Sequence, residues 1–62
     1  MNDAELRAYI EDCQAAITQA NIRMEFCIKS RDLASVKACA ELIKDNAEMI
    51  IDALIAHEVN HE

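Results

Sequence analysis

The last residues of the chain have a spacing that can bind zinc. His57-Glu58-Val59-Asn60-His61 spells H-E-x-x-H, in which two imidazoles one helical turn apart ligate one ion and the Glu acts as base toward the bound water. An enzyme of this kind also needs a third protein ligand, a substrate cleft and rigid support around the ligands. Because the motif alone supplies none of these, we predict no catalytic residues. His57 is instead expected to continue an apolar helix face.

The three cysteines have two interpretations. Free Cys is among the most buried residue types and packs as a small hydrophobic side chain. Thiolates that face the interior of a helical bundle also suit Cu(I) or Zn(II), and Met24 and Met49 could add thioether sulfur. No cofactor is expected if the first interpretation holds, and Cu or Zn if the second does. The candidate metal ligands are Cys13, Cys27, Cys39, His57 and His61.

Composition limits the class of protein. The 62 residues include no Gly and no Pro and are 53% hydrophobic, which favours uninterrupted helices. A formal net charge of −6 disfavours nucleic-acid binding, and no apolar run is long enough for a membrane span. An odd number of cysteines suits reduced thiols better than a disulfide framework. We therefore expect a soluble, cytoplasmic protein with no nucleic-acid or membrane partner.

The pattern predicts one all-α domain over residues 1–62, an antiparallel helical hairpin. Helix 1 should span about 3–29, because Asn2 and Glu5 have the spacing of a capping box. The polar residues 30–32 predict a bend, with Ser30 or Asp32 as the cap of helix 2, about 33–59. A three-residue connection makes the two helices antiparallel neighbours.

Both helices carry an apolar stripe with the seven-residue spacing of a bundle core, in which large residues alternate with small ones. A two-helix hairpin leaves half of each stripe exposed, so two hairpins should associate into a four-helix bundle. Acidic residues near the termini and basic residues near the bend favour an antiparallel homodimer. The predicted dimer core is Leu6, Ile10, Cys13, Ile17, Ala20, Met24, Cys27, Val36, Cys39, Ile43, Asn46, Ile50 and Leu54.

Two features of helix 2 depart from a plain bundle core. Asn46 occupies a core position, where a polar side chain typically fixes the register of a bundle at some cost in stability. Ile51, Ile55 and Val59 follow one another at four-residue steps outside the predicted core, and we call them the outer strip. An exposed apolar line of this kind predicts a docking surface for a partner helix.

The stretch from Tyr9 to Ile50 resembles the cysteine-rich four-helix-bundle copper-storage proteins. In that family, cysteines recur at alternating steps of four and three along each helix and face inward to hold Cu(I). Cys13, Cys27 and Cys39 stand at such positions, whereas most of the other positions carry no thiol. The resemblance implies a four-helix bundle and soft-metal binding.

The predicted architecture is also similar to that of the Rop family, helical hairpins of nearly this length that dimerise head to tail. That likeness implies the bundle. It does not extend to the RNA binding of that family, because the outer face of helix 1 here carries Glu11, Asp12 and Glu25.

The function that we predict is that of a non-enzymatic homodimeric bundle acting as a protein-binding or regulatory module. A chain without Gly has no Gly-rich phosphate loop, and a small bundle has little interior volume for a substrate. Two alternatives remain open: a soft-metal-binding bundle that uses the core cysteines, and an acidic mimic of nucleic acid that inhibits a basic protein.

Overall fold

Two long helices account for nearly all of the molecule. The computed structural model describes the backbone of residues 1–61 and the side chains of residues 1–59. Helix α1 spans Asp3–Lys29 and helix α2 spans Leu33–His61. The helices pack against each other as a hairpin, and residues 1–61 contain no strand. The predicted all-α helical hairpin is therefore confirmed.

Helix α1 begins with the capping box that the sequence predicts. The Asn2 side chain accepts a hydrogen bond from the Glu5 amide at 2.8 Å, and the Glu5 carboxylate accepts one from the Asn2 amide at 3.4 Å. These bonds satisfy two amides that have no partner within the helix. Asp3 and Glu5 also place negative charge at the positive end of the helix dipole.

A Schellman motif ends α1 and forms the bend. The Asp32 amide donates to the Cys27 carbonyl at 2.9 Å, and the Arg31 amide donates to the Ile28 carbonyl at 3.1 Å. This motif needs a left-handed residue, which is usually Gly. Because the chain has no Gly, Arg31 takes the conformation, with φ at 59°.

Asp32 provides the cap of α2. Its carboxylate accepts hydrogen bonds from the Ser35 amide at 3.2 Å and from the Ser35 hydroxyl at 2.6 Å. Both bonds favour the ionised form, so they hold the pKa of Asp32 below its ordinary value. Ser30 instead lies at the carboxyl end of α1, where its hydroxyl donates to the Cys27 carbonyl at 3.2 Å. Of the two predicted caps, Asp32 is the one that starts α2.

The hairpin is one layer of helix thick. Its extents are 48 × 16 × 9 Å, and it exposes 4854 Å², whereas a compact monomer of this mass exposes about 4,000 Å². Four apolar residues are buried, and all four lie where α1 faces α2: Leu6, Cys13, Ala20 and Cys39. Small side chains at three of these positions let the helices approach closely. Neither described helix combines the length and apolar character needed to cross a membrane.

Candidate functional site

The broad apolar face of the hairpin is the largest candidate binding surface. Successive residues of an α-helix are about 100° apart, so Ile17 lies about 40° round the helix from the buried Cys13. From that position Ile17 reaches the edge of the contact between the helices and is only half-buried. The same holds for the other members of what we call the open face, which comprises Ile10, Ile17, Met24, Val36, Ile43 and Ile50.

The predicted dimer core thus divides into three groups. The buried members close the hairpin itself, as described above, and the open face is half-buried. Cys27 and Asn46 are also half-buried. Leu54 is exposed, with 41% of its surface accessible, although it lies only about 20° from Ile43 round α2. The side chains that a second hairpin would cover are therefore mainly the large ones.

Asn46 satisfies part of its hydrogen-bonding capacity within its own helix. Its side-chain amide donates to the Leu42 carbonyl one turn earlier, at 2.9 Å. This bond orients the side chain. The amide oxygen and the second amide hydrogen are the groups that can contact a second chain in the predicted register-fixing role.

The outer strip is exposed to solvent. Ile51 and Ile55 are 55% and 54% exposed, and Val59 is 65% exposed. Ile51 lies about 80° from Ile43 round α2, Ile55 about 120° and Val59 about 160°, so the strip turns progressively away from the open face. It is a separate apolar surface.

Two of the three cysteines are neighbours across the hairpin. Partial burial raises the pKa of Cys27 above its ordinary value, and the adjacent Cys39 thiol and the Asp32 carboxylate raise it further, whereas Arg23 lowers it. Cys13 lies 14 residues before Cys27 on the same helix, which places it about 21 Å away along the axis. All three thiols are free. Within the part of the chain that the structure describes, no three His, Cys, Asp or Glu side chains group closely enough to hold a metal ion.

His57 connects the two helices at the open end of the hairpin. Its Nε2 atom lies 3.0 Å from the Asp3 carboxylate, and 18% of the His57 side chain is exposed. The ring continues the line of side chains that face α1, seven residues after Ile50. Glu58 is exposed, and the side chain of His61, the other predicted metal ligand of this motif, lies outside the described residues.

The hairpin carries a shallow groove on α1 and another between α1 and α2. One, of about 330 Å³, is lined by Leu6 and Ile10 together with Asp3, Arg7 and Glu11 at the open end. The other, of about 300 Å³, lies near the bend and is lined by Arg23, Ser35, Ala38, Cys39 and Leu42. Both are open to solvent, and the lining of the second includes the buried Cys39.

Comparison with protein-family models, curated proteins and solved structures found no match to this chain. The likenesses to the copper-storage and Rop families therefore stay hypotheses from the sequence. What the site can do follows from its own geometry: an open apolar face, a separate outer strip and a pair of adjacent thiols.

The charged residues are segregated along the rod. Nine of the twelve acidic residues lie in segments 1–12 and 45–62, together with one of the six basic residues. The contact between His57 and Asp3 shows that the two segments meet at the same end of the hairpin. The bend end carries the other five basic residues: Arg23, Lys29, Arg31, Lys37 and Lys44. The hairpin is therefore acidic at its open end and basic toward its bend.

Proposed function

We propose that this chain is a non-enzymatic interaction module that dimerises through its open face into a four-helix bundle and acts by binding protein. The observation that supports the proposal is the open face itself. Six large apolar side chains stay partly exposed on one side of a molecule only 9 Å thick. Soluble domains bury such side chains between two layers of secondary structure, and a second copy would supply the missing layer.

The size of the open face predicts a dimer of moderate strength. Complete burial of such a partly exposed aliphatic side chain gains up to about 1 kcal/mol, so the twelve side chains of two open faces gain at most roughly 12 kcal/mol. Association costs about 4–15 kcal/mol in lost freedom. The two terms are comparable, so the flanking residues Ala40, Ala47 and Leu54 must add to the contact. We expect a dissociation constant on the order of micromolar.

Charge segregation favours the antiparallel arrangement of the dimer. When two hairpins associate with opposite orientations, each basic bend lies beside the acidic open end of the other copy. A parallel arrangement would bring the two acidic ends together, and like charges at an interface are unfavourable. The same segregation argues against an acidic mimic of nucleic acid, because five of the six basic residues would lie along half of the rod.

Sedimentation equilibrium tests the dimer. The wild-type chain should show a mass of about 14 kDa, twice its 7.0 kDa, at tens of micromolar. Ile17→Lys should weaken the dimer by about 100-fold or more, because the dimer would bury two unpaired charges. Ala8→Lys is the matched control, since Ala8 is exposed and lies on the opposite side of α1 from Ile17. A monomeric wild type at 100 μM, about a hundred times the expected constant, would contradict the proposal.

Soft-metal binding is a second candidate function, and the observation that favours it is the adjacency of Cys27 and Cys39. Two thiolates on opposite helices can hold Cu(I), a soft ion that prefers sulfur. Anaerobic titration with Cu(I) should then show one tight ion per chain, retained in Cys13→Ser and lost in Cys39→Ser. Equal affinity in both variants would exclude this pair as the site.

A further inference from the structure

We infer that the outer strip binds a second copy of this chain, at an apolar patch on the bend half of α1, and so joins dimers into larger assemblies. The inference deepens the proposed function and rests on it: the protein partner of the outer strip is another dimer of the same chain. The patch consists of Ile22 and Phe26, and we call it the bend patch.

The bend patch is an exposed apolar surface. Ile22 is 46% exposed and Phe26 is 67% exposed. They lie about 140° and 180° round α1 from Ile17, on the side away from the open face. A dimer that buries Ile17 therefore leaves the bend patch uncovered. Ile55 and Val59 lie about 120° and 160° round α2 from Ile43, so the same dimer leaves most of the outer strip uncovered as well.

The strip and the patch have the same spacing and opposite charge. In segment 51–58, Ile51 and Ile55 are accompanied by Asp52 and Glu58; in segment 22–29, Ile22 and Phe26 are accompanied by Arg23 and Lys29. Both segments therefore have apolar residues at their first and fifth positions and charged residues at their second and eighth positions. At these matched positions the charged side chains are acidic in the strip and basic in the patch, and all four are exposed. Glu25 is one exposed acidic residue within segment 22–29, which keeps a net charge of +1 against −2 in segment 51–58.

These features indicate which occupant suits the strip. An apolar line with acidic flanks binds best to an apolar line with basic flanks, because the charges then attract one another and exclude a like-charged partner. Segment 45–62 contains no Lys or Arg that could pair with the acidic flanks of the strip. The bend patch supplies it on the same chain, so every copy carries both halves of the contact.

The contact is heterologous, because two different surfaces meet. Each dimer has two strips and two patches, and a heterologous contact that does not close on itself extends into an open chain. Five apolar side chains make a small interface, and small interfaces are weak. Assembly beyond the dimer should therefore depend strongly on protein concentration and should weaken when salt screens the flanking charges.

The test uses two variants that each lack one half of the contact. Ile55→Lys removes the strip and Phe26→Glu removes the patch, both at positions that are already more than half exposed, so the fold and the dimer should be retained. Ala8→Lys and Ala8→Glu are controls with the same introduced charges, at an exposed position outside both surfaces. Weight-average mass is measured by sedimentation under reducing conditions at up to about 1 mM, where a weak contact is populated.

Wild type and both controls should exceed the dimer mass as concentration rises, and each variant alone should stay dimeric. A mixture of the two variants should again exceed the dimer mass, since one retains the patch and the other the strip. A wild type that stays dimeric at 1 mM, variants that assemble as wild type does, or a mixture that stays dimeric would each overturn the inference. If the wild type stays dimeric and a synthetic basic amphipathic helix binds its outer strip, the occupant of the strip is a foreign helix and the inference is wrong. A monomeric wild type would instead refute the proposed dimer, so the two failures are distinguishable.

Discussion

His57 Nε2 lies 3.0 Å from Asp3 Oδ1, and this contact joins the last turns of α2 to the first turn of α1. Exposed ion pairs such as Arg7–Glu11 and Lys37–Glu41 connect residues of one helix, so they stabilise each helix separately. The contact between His57 and Asp3 instead stabilises the pairing of the two helices. It holds them together at the open end, 25 or more residues away from the bend. The residue that suggested a zinc site in the sequence thus has a structural partner.

Loss of this contact should destabilise the open end of the hairpin. We expect Asp3→Asn to lower the free energy of unfolding by up to about 1 kcal/mol, the usual range for a single polar contact of this kind. His57→Ala should cost about 1–2 kcal/mol, because it also removes a half-buried ring from the contact between the helices. Urea denaturation at fixed protein concentration measures both effects. Glu58→Ala, at the exposed neighbouring position, should change little, and an equal loss there would refute the structural role of His57.

The bend offers a stabilising substitution. Arg31 has a left-handed backbone, which costs a residue with a side chain roughly 1 kcal/mol. Arg31→Gly should therefore raise the free energy of unfolding by about 0.5–1 kcal/mol, and Arg31→Val should lower it. Lys29→Gly is the matched control: it lies in the last turn of α1, where Gly costs up to about 1 kcal/mol. A destabilised Arg31→Gly variant would show that the Arg31 side chain makes a contact worth more than the strain.

The hairpin could be predicted because its determinants are local. The steps of four and three that connect Leu6, Ile10, Cys13 and Ile17 define one side of a helix whatever the rest of the chain does. Asn2 and Glu5 are likewise three residues apart, and the structure contains their capping box. Periodicity also separated the outer strip from the core positions, and Ile55 is indeed 54% exposed.

The remaining features depend on how the two helices are aligned, which local patterns do not define. The pairing of His57 with Asp3 and the adjacency of Cys27 and Cys39 both require the register across the bend. That register is set by the left-handed turn at Arg31. The polar residues 30–32 predict where the bend lies, but without a Gly the sequence does not indicate which of them takes the left-handed conformation. Sequence reasoning also missed the bend patch, because Phe26 becomes notable only when both sides of α1 are compared with the outer strip.

The cap at Asp32 should make stability depend on pH in a defined direction. Hydrogen bonds from the Ser35 hydroxyl and amide lower the pKa of Asp32 below its ordinary value of 3.8. A carboxyl group whose folded pKa is depressed stabilises the fold above its unfolded pKa, and this contribution is lost as pH falls through the folded pKa. The stabilisation should therefore be complete above the unfolded pKa of about 3.8 and should be lost as pH falls further, through the lower pKa of the folded state.

NMR titration of the Asp32 side chain measures this effect directly. The pKa should lie below 3.8 in wild type and should rise in Ser35→Ala, which removes the hydroxyl and keeps the backbone amide. Ala34→Ser is a control that adds a hydroxyl at an exposed neighbouring position and should leave the pKa unchanged. If Ser35→Ala has no effect on the titration, the hydroxyl is not the group that holds the carboxylate ionised.

The cysteine pair should react with alkylating reagents in a way that depends on its neighbours. Partial burial is the largest cause that raises the pKa of Cys27 above 9.0, and the Cys39 thiol is the next, so at pH 8 little of Cys27 is the reactive thiolate. Cys39→Ala removes the second cause but leaves most of the burial in place. The rate of Cys27 alkylation by iodoacetamide at pH 8 should therefore be higher in Cys39→Ala than in wild type. As pH is raised, the rate should also reach its plateau at a lower pH in this variant. Cys13→Ala, about 21 Å away along α1, should leave the rate unchanged, and an equal increase in that variant would mean that general loosening of the hairpin exposes Cys27.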